Sequence, residues 1–295
     1  MDEAMRKADA LIEALPYIQA FHNKFVVIKL GGAAMEDDNI MADVMEDVVF
    51  LNAVGAWPVV VHGGGPHISA AMKARGLEPT FVAGLRITDA ATLDIAVDVL
   101  VNEVNAGIRA AVKRFGGRSS SCFSSNSGIL KAVRTPGKVV SPDGSTREVD
   151  IGFVGKVVEI NTQALYDCAG MGEIPVIPPI GRGADGQLYN VNADTAAAFV
   201  AGAIGAEKIV YLSNVHGILR DPKIPDSYIP TLTESEAAEM IRTGAISGGM
   251  LPKTRSCVDA IKTGVRKAHI IDGRMHHSLL LEIFTDKGVG TQILK

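Results

Sequence analysis

Little cysteine and little excess charge mark this sequence, and each shortage narrows what the chain can be. Cys122, Cys168 and Cys257 are odd in number, far apart and without a CxxC pair. That excludes a disulfide framework or zinc site as the expected organisation and points to a reducing, cytoplasmic compartment. A net charge of −4 leaves no broad basic surface for nucleic acid. The longest apolar run, Ala196 to Ala206, is too short to span a bilayer. The first residues, MDEAMRKADALIEALPYIQAF, carry acidic residues throughout and lack the apolar centre of a signal peptide. There is no GxxxxGK[ST], no HExxH, no supported Ser-His-Asp or Cys-His signature and no internal repeat. His62, His67 and His216 are too scattered for a metal trio, so no protein-held metal is expected.

What remains is an ordinary folded composition: 295 residues, 47% hydrophobic and 21% charged. Met5, Ala8, Ile12 and Leu15 recur at helical spacing, with Asp2 and Glu3 at the positive end and Pro16 expected to kink or end the helix. Its apolar stripe has two destinations, its own domain or another subunit. From Phe25 the pattern alternates. The strand FVVIKL precedes a helix over Asp38 to Val54, and WPVVVH leads through Gly63–Gly65 into a helix over Ile68 to Arg75. A long helix is expected from Ala90 to about Phe115, then hairpins and loops from Arg118 to Gly155. IPVIPPI and KIVYLS read as strands around a helix over Asp194 to Gly205, and two helices (Glu234–Thr243, Leu251–Thr263) precede AHIID. The expectation is an α/β fold, a mostly parallel central sheet covered on both faces. A lobe boundary falls near Asp194, where the pattern restarts.

Five motifs carry chemistry. IKLGGAA places Lys29 at the carboxyl end of a buried strand, followed by Gly31 and Gly32, whose N–H groups can approach a phosphate. VVVHGGGPHI sets Gly64 and Gly65 before a helix start, an anion-binding arrangement. NVNAD holds Asn190 and Asn192 at alternate positions, offering amide donors to a carboxylate or acyl oxygen, with Asp194 opening a helix it could merely cap. SGGMLPK puts Gly248, Gly249 and Lys253 at another helix start, where a cation is unfavourable unless an anion neutralises it. GLRIT supplies Arg86, a planar fork suited to a carboxylate. Gly181–Gly186 matches GxGxxG literally, but no helix follows, and the stretch reads as a hairpin.

This set has lysines, glycine loops, an aspartate and an arginine, but no obvious general base. A hydroxyl nucleophile would need one, whereas a carboxylate is already ionised at neutral pH. Phosphoryl transfer to a carboxylate then reduces to positioning and charge neutralisation. Lys29 and Lys253 would flank the moving group, and Asp194 would orient the two ammonium groups. Any Mg²⁺ would arrive with the nucleotide.

KLGG, HGGG, GLRIT, NVNAD, LSNVHGIL and GGMLPK follow one another in an order and spacing that resemble the acetylglutamate kinases of the amino acid kinase family. The resemblance runs from about Phe25 to the C-terminus. It implies a three-layer αβα sandwich, with residues 25–193 binding N-acetyl-L-glutamate and residues 194–295 binding ATP with Mg²⁺. It carries transition-state roles to Lys29 and Lys253, the organising role to Asp194, acyl-substrate contacts to Gly64, Gly65, Arg86, Asn190 and Asn192, and nucleotide contacts to Gly31, Gly32, Ser213, Asn214, Gly248 and Gly249. Residues 1–24 resemble the helical extension of the arginine-inhibited members, which interlace such helices into hexamers. HIIDGRMHHSLLLEIFTDKGVGT is similar to that branch, and its effector site maps onto Tyr17, Lys208, His269 and Glu282. A strand-end and helix-surface pair is the plainer reading of the last two. CFSSNSG, residues 122–128, departs from the family's glycine-rich GLSGKDG. A kinase for acetylaminoadipate or carrier-linked glutamate, and an inactive arginine sensor, are the rival readings.

Overall fold

The computed structural model describes residues 2–82, 84–124, 128–140, 146–221, 224, 227–285 and 288–295. Residues 125–127, the centre of the CFSSNSG departure, lie outside them.

Eight strands form the central sheet, in the order Thr231–Thr233, Thr291–Leu294, Lys267–Asp272, Lys208–Ser213, Phe25–Leu30, Trp57–His62, Ile174–Ile177, Ser119–Ser121. Six run parallel. Thr291–Leu294 pairs antiparallel with Lys267–Asp272, and Thr231–Thr233 follows its direction. The Phe25 strand is buried along its whole length, so its alternating side chains serve two cores. Phe25 and Val27 pack under the helices Thr162–Gly170, Ala193–Ala203 and Met250–Lys262. Val26, Ile28 and Leu30 pack under Asp38–Ala53, Gly65–Ala74 and the helical stretch Ala90–Arg114. Helices on both faces make the three layers of an αβα sandwich. A smaller closed barrel of four strands, Leu130–Arg134, Val154–Ile160, Ile180–Arg182 and Leu188–Val191, accompanies it. Among the described residues no helix is long and apolar enough to cross a membrane.

Several expectations change. The first helix runs without a break from Asp2 to Phe21 with Pro16 inside it. IPVIPPI is two strands rather than one: Ile174–Ile177 belongs to the main sheet and Ile180–Arg182 to the small barrel, parted by Pro178 and Pro179, which cannot donate to a ladder. Ser119–Ser121, inside the stretch expected to be hairpins and loops, adds the edge strand. The long helix contains a π-helical stretch, Asp98–Asn105, between its α-helical ends Ala90–Val97 and Ala106–Arg114. The helix expected from Ile68 starts earlier, at Gly65, with Pro66 in its first turn. Gly181–Gly186 does lie in an antiparallel hairpin.

Candidate active site

Strand parity decides where Lys29 goes. It shares the face of Phe25 and Val27, under the N-terminal end of helix Ala193–Ala203, and is only 6% exposed. An unpaired buried ammonium costs several kcal/mol. Asp194 Oδ1 meets it at 2.6 Å, and Asp194 Oδ2 lies 3.6 Å from Lys253 Nζ in the first turn of helix Met250–Lys262. Burial pushes the Asp194 carboxyl up, but the two ammonium groups outweigh it and hold the carboxyl below its usual range. For Lys29, burial dominates and draws the ammonium down despite Asp194. Asp194 therefore does not cap its helix. Asn192 does, its Oδ1 accepting from Thr195 N–H at 3.0 Å.

The glycines are fitted to this arrangement. A Cβ on Gly31 would lie 2.5 Å from Lys29 Nζ, so a larger residue would displace the ammonium. Gly64 has φ +151°, and a Cβ there would meet Leu100 Cδ2 at 2.4 Å.

Arg86 occupies a two-residue strand, Leu85–Arg86, paired with Phe81–Val82. Its Nη2 donates to Gly65 O at 2.9 Å and Ser69 Oγ at 2.8 Å, and its guanidinium lies 4.7 Å from the Phe81 ring centre. Among the described residues no carboxylate pairs with it, and burial pulls its pKa down. Asn190 Nδ2 donates to Thr88 Oγ1 at 3.3 Å. Lys29, Arg86, Asn190, Asn192 and Asp194, with Gly31–Gly32 and Gly63–Gly65, line one cavity of about 260 Å³.

Other site candidates lie apart from that cavity's walls. Gly248 and Gly249 border a neighbouring cleft of about 960 Å³, which also touches Asn192. Ser213 ends the Lys208 strand and its hydroxyl donates to Val215 O at 3.1 Å. Asn214 is joined to the site by Gly32: a Cβ there would come 2.8 Å from Asn214 Oδ1.

A second cluster sits beneath the first helix. Lys208 Nζ donates to Glu282 O at 3.3 Å and lies 5.4 Å from the Phe21 ring centre. Glu282 contacts His269 Nδ1 and accepts from Val289 N–H at 2.8 Å. Tyr17 meets Phe284 edge-on, ring centres 6.4 Å apart. His269 and Glu282 are buried, so the strand-end and helix-surface reading of this pair is wrong. Burial lowers the Lys208 ammonium to about 8 and pushes the His269 imidazolium down.

Sequence reasoning missed Thr88 and Tyr211. Tyr211 lies level with Lys29 on the adjacent strand and its hydroxyl donates to Asp194 O at 3.3 Å. The alternation of KIVYLS beside IKL was a signal for it. Chemically, the cavity offers the Lys29 ammonium and the Asp194 carboxylate, which Lys253 meets from helix Met250–Lys262, with a fixed guanidinium, amide donors and glycine N–H groups. His62 behind it is fully buried, and burial lowers it to about 4, so its imidazole is neutral at pH 7.

The amino acid kinase family matches residues 24–272. The chain is 48% identical to an acetylglutamate kinase of Heliobacterium modesticaldum over 100% of both chains. A solved N-acetylglutamate synthase from Neisseria gonorrhoeae, complexed with coenzyme A and N-acetyl-glutamate, superposes with a TM-score of 0.82 at 28% identity, covering 98% of this chain and 63% of the synthase. The same synthase with coenzyme A and L-arginine gives 0.79 at 26% identity, covering 98% and 65%.

Proposed function

This chain belongs to the amino acid kinase family, and from that premise we propose that it phosphorylates N-acetyl-L-glutamate with ATP, a step of arginine biosynthesis. The observation that carries the reading is the Lys29–Asp194–Lys253 array at a cavity without a general base. Relatives 45–48% identical over their full length bear the name acetylglutamate kinase.

The side-chain carboxylate of acetylglutamate attacks the γ-phosphorus. A new O–P bond forms, the bond to the β,γ-bridging oxygen breaks, and ADP leaves with the electron pair. No proton moves. Lys29 and Lys253 neutralise charge on the moving phosphoryl group, and Asp194 keeps both ammonium groups aimed at it. Arg86 takes the substrate's α-carboxylate, while Asn190, the free Nδ2 of Asn192 and the N–H groups of Gly64 and Gly65 take its remaining oxygens. Gly31, Gly32, Ser213, Asn214, Gly248 and Gly249 hold the nucleotide. Residues 25–193 form the acyl-substrate lobe and residues 194–295 the ATP lobe. Asp194 is the one carboxylate among the cavity's lining residues, and lysines occupy it. Mg²⁺ therefore enters as the counter-ion of ATP, held by phosphate oxygens.

The test is ADP release measured with acetylglutamate, acetylaminoadipate and free glutamate side by side. Acetylglutamate should give the highest kcat/KM. Preference for acetylaminoadipate would move the enzyme to the neighbouring substrate, since one methylene discriminates by only about 1–3 kcal/mol. Release with none would favour the sensor reading.

A second reading concerns regulation. The buried Lys208, His269 and Glu282 beneath the first helix, together with Tyr17, form an arginine effector site, and residues 1–24 join subunits into a hexamer. Its support is that polar cluster, the exposed Leu11 and Ile12 on the helix, and the arginine complex of the similar synthase. All three cysteines are free thiols, which suits a cytoplasmic enzyme.

A further inference from the structure

Asn105 closes the π-helical stretch, a kind of irregularity often found at functional sites. Its side chain is buried against His62, the last residue of strand Trp57–His62. Four contacts there assign every proton. Arg109 Nε can only donate, and it lies 3.1 Å from one amide atom of Asn105, which must therefore be Oδ1. The amide nitrogen then faces Val176 O at 3.0 Å and His62 Nε2 at 3.3 Å, one hydrogen for each. His62 Nε2 has to accept, which leaves the ring proton on Nδ1, 2.7 Å from Gly63 O. A carbonyl only accepts, so the assignment closes at both ends.

We propose that Arg109, Asn105 and His62 form a positioning relay that locks His62 as the Nδ1–H tautomer, pins the Gly63 carbonyl and thereby aims the glycine loop at the transferring group. The peptide bond is planar and trans, so fixing the Gly63 carbonyl turns the Gly64 N–H to the opposite side. Gly63, Gly64 and Gly65 all border the cavity. Gly64 has no side chain with which to hold itself and no room for one, so the loop must be held from outside. His62 touches no substrate and is a positioning residue. Lys29 and His67 are the titratable groups facing it, and with burial both disfavour an imidazolium. What the loop holds rests on the kinase reading; the tautomer does not.

Nitrogen-15 imidazole NMR on the full chain, between about pH 5 and pH 8, decides the tautomer. The signal lost in His62→Asn identifies His62. It should report neutral Nδ1–H across that range; an Nε2–H tautomer or an imidazolium near pH 6 overturns the relay. Asn105→Asp removes the donor, so the His62 signal should move to Nε2–H or imidazolium. Arg109→Met, at the partly exposed end, leaves only Val176 O to orient the amide and should admit a fraction of the Nε2–H tautomer. An unchanged spectrum in both variants also overturns it. In kinetics, His62→Leu should lower kcat roughly tenfold or more and raise the acetylglutamate KM, whose oxygens Gly64 and Gly65 hold, while KM for ATP stays within about threefold. His62→Asn, which keeps a donor toward Gly63 O, should recover much of that rate, and folded His62→Leu with wild-type kcat would end the positioning role. If His62→Leu fails to fold, the Arg109→Met spectrum and kcat decide instead. Inactivity of the wild type toward acetylglutamate would remove the kinase reading while the tautomer result stands by itself.

Discussion

Lys29 and Asp194 meet at 2.6 Å inside the fold, with each side chain less than a tenth exposed. Removing one partner leaves the other buried without its counter-charge, a change that costs about 3–5 kcal/mol when the charge persists. Asp194→Asn should therefore lower kcat by roughly 10²–10³ and also reduce the urea midpoint, because the two lysines then repel across a neutral amide. Steady-state kinetics and denaturation on the same preparation check both. Near-normal kcat would take Asp194 out of the phosphoryl-transfer machinery.

Arg86→Ala should raise the acetylglutamate KM strongly and leave the ATP KM nearly unchanged. Arg86→Lys should rescue little, since an ammonium cannot span Gly65 O and Ser69 Oγ while presenting a second edge to a carboxylate. Selective loss of ATP affinity would mean that the two lobes are assigned the wrong way round.

How much of this was legible depends on which residues chain pattern can reach. Lys29 was readable because a lysine ending an apolar strand before two glycines has few structural uses, and parity gives its face. Asp194 was readable as a helix-start residue, yet its two cationic partners come from other elements and only packing reveals them. Ser119–Ser121 gave no strand signal: three serines carry no alternation, and edge position comes from pairing with Ile174–Ile177. The π-helical Asp98–Asn105 stretch was invisible for a similar reason, since its hydrophobic spacing reads as ordinary helix. The burial of His269 and Glu282 needed the Thr291–Leu294 strand and Val289–Gly290 to fold over them.

Stability should fall on mild acidification. Burial lowers His62 from 6.5 to about 4, so between those values the unfolded chain binds a proton that the native protein refuses. This contribution is fully present above about pH 6.5 and is lost as pH falls toward 4, amounting to about 2 kcal/mol by pH 5. Urea midpoints at pH 7.5 and 5 in wild type and His62→Asn measure it. The variant should show the shallower decline; equal slopes would mean that His62 does not titrate on unfolding as described.

Arginine should inhibit, and deleting residues 1–22 should abolish or greatly weaken the inhibition and reduce the assembly to dimers while catalysis persists. Acetylglutamate and ATP should weaken arginine binding by the same factor as arginine weakens theirs. Sedimentation and an arginine titration on the truncation check this. A truncated protein that stays hexameric and fully arginine-sensitive would contradict the helix's role.

The central claim is that the acceptor is a carboxylate and the product a mixed carboxylic–phosphoric anhydride. Hydroxylamine attacks such an anhydride at its acyl carbon, releasing phosphate and leaving a hydroxamate. The direct measurement is hydroxamate and ADP quantified together, from protein, MgATP, acetylglutamate and hydroxylamine. One acetylglutamyl hydroxamate per ADP, lost in Lys29→Ala and Lys253→Ala, is the predicted result. ADP released without hydroxamate, or hydroxamate undiminished in both lysine variants, would contradict it.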